Sequence, residues 1–224
     1  MGHAFTVTFD YRCPFAYNGN AAVVRALQGG ADHDVRFAVF SLDQNHAAQT
    51  DEDAPPVWER PPAERGSGVL ALLYGIAVRD HDPDRFPDAH LALFAARHDE
   101  GDIALTLPPD RFPDAHVALF GARHDHGRDL RDEAVLRDVV AAAGCDPDRI
   151  TDLAHDPATL ATLAAEHTEM VRDHSVFGVP TFVAHGQATF VRFMERGNVD
   201  DLERMLDLLA WSNLNEFKRT TLPY

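Results

Sequence analysis

Phe5-Thr-Val-Thr-Phe-Asp-Tyr-Arg-Cys-Pro-Phe-Ala-Tyr17 decides how this chain is read. The short alternating run predicts a buried strand that delivers Cys13 to the start of a helix. A thiol at a helix N-terminus faces unpaired backbone N–H groups and the positive end of the helix dipole, and both favour thiolate over thiol. Arg12 adds positive charge next to it, and Pro14 suits the first helical position, where its missing N–H costs nothing. The plainer alternative is a buried core cysteine that happens to precede a proline. A Cys-x-x-Cys redox site needs a second thiol three positions on, and Ala16 stands there. Cys13 can therefore attack a disulfide, but it has no adjacent partner to release it from the mixed disulfide.

With 224 residues and 45% of them apolar, the chain suits one domain with an embellishment, or two small ones. A net charge of −16 argues against a basic nucleic-acid surface and against an anionic membrane face. Two cysteines, Cys13 and Cys145, do not suggest a disulfide scaffold. The first strand begins close to Met1 without a basic and apolar leader, and no apolar run is of membrane-spanning length. A soluble, cytoplasmic protein is the expectation.

Further along, 16–27 reads as a helix and 35–40 as a second strand, giving a βαβ start with a parallel, right-handed default. Residues 41–66 hold Pro55-Pro56, Trp58 and Pro61-Pro62 and show little periodicity, so they are expected to pass over the surface without a core element. Trp58 is read either as a pocket wall beside the cysteine or as an anchor for this segment; Tyr11 and Tyr17 either offer a hydroxyl to a ligand or cover apolar surface. Helices are expected at 69–78, 129–143, 157–174 and 200–209, with apolar runs at 176–183 and 189–193 pairing as a hairpin around His185-Gly186-Gln187. The tail from Trp211 to Tyr224 either wraps the domain or frays.

Residues 83–101 recur as 109–127, with 16 of 19 positions identical at an offset of 26. Two copies are too few for a solenoid and point to a local duplication. A niche made for one helix cannot receive both, so the surplus copy is left to extend the helical layer, pair with a second subunit as a homodimer, or pack poorly. His90 with His98, and His116 with His124, lie two helical turns apart, about 12 Å, which is too far for one metal ion. These histidines, with His126, are read as solvated or capping, and no metal is expected. Cys145 follows a helix end at Gly144, where the dipole disfavours a thiolate, and is read as a structural or incidental thiol, the alternative being a distant resolving partner that the fold returns to Cys13.

Taken in order, the pattern is β-α-β, a helical excursion, then β-β-α. The chain resembles the DsbA-like family of thioredoxin-fold proteins through Phe9-Asp-Tyr-Arg-Cys-Pro-Phe-Ala16, the all-helical insertion, and Phe177-Gly-Val-Pro-Thr-Phe182. Asn215-Glu-Phe-Lys-Arg-Thr-Thr221 looks like the end seen in actinobacterial members. The resemblance implies an α/β thioredoxin fold, with a thioredoxin-like domain over 1–66 and 175–224 and a helical insertion domain over 67–174 that contains the duplication. It implies that Cys13 is the nucleophile and Pro180 a cis-proline beside it. Val179, ahead of that proline, would pair with an extended substrate, supported by Arg12, Pro14, Tyr11, Tyr17, Thr181 and Trp58.

The expected activity is that of a monothiol thiol–disulfide oxidoreductase acting on protein or small-molecule thiols and disulfides. No tightly bound cofactor is expected; Val179 and Pro180 would hold a low-molecular-weight thiol such as glutathione or mycothiol. Two alternatives stand beside it. One resembles the kappa-class glutathione transferases and 2-hydroxychromene-2-carboxylate isomerases, which use a thiol cofactor but more familiarly carry Ser where Cys13 stands. The other is a non-catalytic binding protein on the same scaffold. Ala16 and the duplicated helix are departures from the family pattern.

Overall fold

The computed structural model describes residues 2–98 and 129–213. Four strands, β1 (Ala4–Phe9), β2 (Asp34–Val39), β3 (Thr181–Ala184) and β4 (Gln187–Phe190), form one sheet in the order β2-β1-β3-β4. β1 and β2 are parallel in the register Phe5–Val35 through Phe9–Val39, and β3 runs antiparallel to both β1 and β4. The parallel pair needs a crossover, which α1 (Pro14–Gln28) supplies. The antiparallel pair needs only the two-residue turn His185-Gly186, where both residues have positive φ, 53° and 75°. This is the mixed sheet of a thioredoxin fold with helices inserted between its halves.

Between β2 and β3 lie α2 (Leu42–Thr50), α3 (Val69–His81), α4 (Phe86–His98), α5 (Glu133–Ala142), α6 (Pro147–Ala154) and α7 (Pro157–His174), and α8 (Val199–Leu209) follows the hairpin. The sequence reading places no element in 41–66, yet α2 is there with 3₁₀ turns at Val57–Glu59 and Pro62–Glu64. Its cap sets it: Ser41 Oγ accepts the Gln44 N–H at 3.2 Å, while no residue of α2 is buried, so it has no apolar stripe to betray it. The sequence reading also places no helix at α6, although Asp146-Pro147 is an N-cap followed by a first-turn proline, the same pair that starts α7 at Asp156-Pro157.

Phe5, Val7, Ala22, Val23, Ala26, Phe182, Leu202 and Leu206 pack between the sheet and helices α1 and α8. The larger core joins the other helices to the C-terminal end of β1. In it α4 buries Phe86, Ala89, His90, Leu93, Phe94 and Ala96, so the first copy of the repeat has a place in the core. The second copy, 109–127, and the tail from 214 onward lie outside the described residues.

β2 is an edge strand whose backbone is capped by side chains. Arg79 Nη1 donates to Phe37 O at 2.8 Å, Glu166 Oε2 accepts from the Val39 N–H at 2.9 Å, and the same two side chains pair at 2.7 Å. Both are mostly buried, so Arg79→Ala strands the Glu166 carboxylate. A loss of about 3–5 kcal/mol in urea unfolding is expected, partly recovered by adding Glu166→Gln.

Candidate active site

β1 ends in a tight turn closed by the Cys13 N–H donating to Asp10 O at 3.0 Å, and α1 starts at Pro14 directly after it. Cys13 is the N-cap: its backbone is extended (φ −96°, ψ 115°) and its Sγ accepts from the Ala16 N–H at 3.4 Å. Cys13 is half-buried. Its sulfur also lies 3.3 Å from Val179 O, to which a thiol hydrogen can donate. Val179–Pro180 is a cis peptide, and Pro180 O accepts from the Val191 N–H at 3.1 Å. Thr181 fixes this segment twice, its N–H on Thr8 Oγ1 at 2.8 Å and its hydroxyl on Gly178 O at 2.7 Å. Sites 166 positions apart in the chain thus meet at one sulfur. The Val179 N–H makes no hydrogen bond with the described residues.

Arg12 is engaged by acidic and hydroxyl partners. Its guanidinium pairs with Asp43 at 2.9 Å and reaches Ser67 Oγ at 3.2 Å, with Asp10 at 3.7 Å on the other side. One cation between two carboxylates leaves little net positive charge for Cys13. Asp10 is fully buried and accepts the N–H groups of Arg12 and Leu42, both at 2.8 Å. Burial pushes its carboxyl above the usual carboxylate range, against the pull of Arg12.

The aromatic residues divide. Tyr11 is fully buried with its hydroxyl 2.9 Å from His90 Nδ1, and burial pushes that hydroxyl well above the usual phenol value. Tyr17 lies flat on Phe94 (ring centroids 5.1 Å, 2° between planes), and the Arg196 guanidinium sits 3.9 Å over its ring. Trp58 packs on His167 of α7, ring centroids 5.6 Å apart. The aromatic surface exposed near the cis bond comes from Phe177, 64% exposed, and Phe190, 5.2 Å apart. The sequence reading assigned neither a role. Their signal was position: Phe177 is two residues from Val179, and Phe190 pairs with Thr181 across the hairpin.

A cavity of about 370 Å³ between Pro62–Gly66 and α3 is lined by Ala63, Val69, Leu70 and Leu73 with Arg65 and His155 at its edge; none of Tyr11, Cys13, Tyr17 or Trp58 lines it. Cys145 is buried at the α5–α6 junction, where burial first, then Asp82, pushes its thiol up. Among the described residues neither cysteine is in a disulfide.

A family model described as "DSBA-like thioredoxin domain" matches residues 6–208. Among solved structures, a Pseudomonas aeruginosa DsbA variant matches at 17% identity and a TM-score of 0.55, over 93% of this chain and 85% of that one. Oxidised BdbD from Bacillus subtilis matches at 15% and 0.52, over 92% and 85%. The catalytic domain of Proteus mirabilis ScsC matches at 14% and 0.51, over 92% and 82%. No curated protein matches. At these identities the likeness is one of fold. The cytoplasmic expectation is corrected here: DsbA, BdbD and ScsC are periplasmic or secreted oxidoreductases, which a reading of the first residues for a leader does not outweigh.

Proposed function

The chain belongs to the DSBA-like thioredoxin domain family, and on that premise we propose that it is a monothiol thiol–disulfide oxidoreductase with Cys13 as its nucleophile. The observation that carries this reading is the sulfur's position, capping α1 through the Ala16 N–H and touching Val179 O ahead of Pro180. As a thiolate, Cys13 gives up the bond to Val179 O and keeps the one from Ala16. The helix N-terminus then faces its charge.

A substrate strand laid against Val179 finds an N–H to accept from and a carbonyl freed when the thiol ionises. Phe177 and Phe190 offer apolar surface beside it. The Cys13 thiolate attacks one sulfur of R–S–S–R′. The S–S bond breaks, R′–S⁻ departs, and Cys13–S–S–R remains. Position 16 carries a methyl group, and Cys145 lies buried among other partners, so a second thiol from outside completes the exchange. That thiol attacks the Cys13 disulfide, releases R joined to it, and restores the Cys13 thiolate.

Exposure to glutathione disulfide followed by intact and peptide mass spectrometry tests this. One glutathione per chain is expected, on Cys13, absent from Cys13→Ser and removed by reductant. Modification of Cys145 at the same rate, or none at Cys13, would sink the reading.

A further inference from the structure

A buried run of side-chain hydrogen bonds joins the helical layer to both walls of the thiol site. His90 of α4 is fully buried among Phe9, Phe37, Phe86 and Phe94, with ring centroids 4.6–5.2 Å away. Asn20 of α1 gives its amide hydrogens to Ala16 O at 2.9 Å and Thr8 O at 3.4 Å, which leaves its Oδ1 as an acceptor 3.1 Å from His90 Nε2. The proton on the ring therefore belongs on Nε2, and Nδ1 accepts from the Tyr11 hydroxyl at 2.9 Å.

Both ends of this run reach Cys13. Tyr11 lies inside the Asp10–Cys13 turn, and Ala16 is the residue whose N–H faces Sγ. Thr8 carries the run on to Thr181, the residue after Pro180. We infer that His90 is a positioning residue for Cys13, joining Tyr11 to Asn20 so that the turn and the first turn of α1 hold the sulfur in one geometry. The inference rests on Cys13 being the reacting thiol. It does not require disulfide chemistry.

Alkylation of the native chain by iodoacetamide, followed at Cys13 across pH, supplies the test, since it reads the thiol whether or not the chain exchanges disulfides. Tyr11→Phe removes only the hydroxyl and leaves Asp10, Arg12 and Asp43 in place. It is expected to slow alkylation at pH 7 by roughly threefold to tenfold and to move the midpoint of the pH profile upward. His90→Phe, made together with His116→Phe because the repeat carries the same residue there, should do the same. Adding Tyr11→Phe to that pair should slow the reaction no further, because one link has already been cut. His90→Gln, made with His116→Gln, keeps an acceptor and a donor and should recover part of the rate.

A Cys13 profile in folded Tyr11→Phe that overlays the parent overturns the inference and leaves His90 a core residue. Should the His90→Phe pair fail to fold, Tyr11→Phe decides alone.

Discussion

Ala16→Cys is expected to convert a mixed disulfide on Cys13 from a lasting adduct into a transient one. In the parent, glutathione on Cys13 should wait for a thiol from solution. With a thiol at position 16 the resolving group is already on the first turn of α1, whose N–H at that residue lies 3.4 Å from Cys13 Sγ. An intramolecular thiol acts at an effective concentration far above that of millimolar glutathione, so the adduct lifetime should fall by roughly 10²–10³-fold. The product is an intramolecular 13–16 disulfide, seen as the loss of two hydrogens in place of a gain of one glutathione. The fully buried Ala16 methyl shows how little room the site has, so the added sulfur should cost about 1–3 kcal/mol in the reduced protein. A stable glutathione adduct on the folded variant, with no internal disulfide, would show that Cys13 Sγ cannot be reached from position 16.

Acid should weaken the fold before any carboxylate pairing is lost. Burial pulls the His90 ring down to about 3 and the His167 ring to about 4. His90 sits in its aromatic cage, and His167 accepts the Ser41 N–H at 3.1 Å beneath Phe40 and Trp58. Both rings are neutral in the folded chain and bind a proton freely once it unfolds. Between pH about 6.5 and those folded values the unfolded state therefore holds more protons, and stability falls as the pH falls. Each ring accounts for about 2 kcal/mol between pH 7 and pH 5, together about 4 kcal/mol, a large share of an ordinary domain's stability.

Asp10 works in the opposite sense. Its carboxyl is raised in the folded state, so its share of stability grows as pH falls through the folded value towards 3.8. One carboxyl offsets part of what two imidazoles remove. Urea unfolding at pH 7 and pH 5 checks the sum, and equal or greater stability at pH 5 refutes it. His167→Gln keeps an acceptor for Ser41 and should remove about half of the dependence.

The fold was legible where periodicity and chain punctuation agree. Alternation from Phe5 to Phe9, Cys13-Pro14 and the turn at His185-Gly186 define β1, the start of α1 and the hairpin. α2 was not legible because a helix held by its Ser41 cap with nothing buried leaves no stripe to find. The two histidines make the same point about the site. His167 falls on the apolar side of α7 with Leu163 and Met170, and it is buried. The sequence reading makes His90 solvated or capping, although Phe86, Ala89, Leu93 and Phe94 mark the same helical face. The pattern was available there and the residue type outweighed it. Its partners were a different matter, since Tyr11 lies 79 positions away and no local rule joins them.

Every letter with which α4 enters the core is written again 26 positions later, as Phe112, Ala115, His116, Leu119, Phe120 and Ala122. Two of the three departures, Val117 for Leu91 and Gly121 for Ala95, answer to partly exposed residues of α4. A mutation that spoils Leu93 or His90 therefore leaves a clean transcript of that helix face in the same gene, a spare from which unequal recombination can restore it.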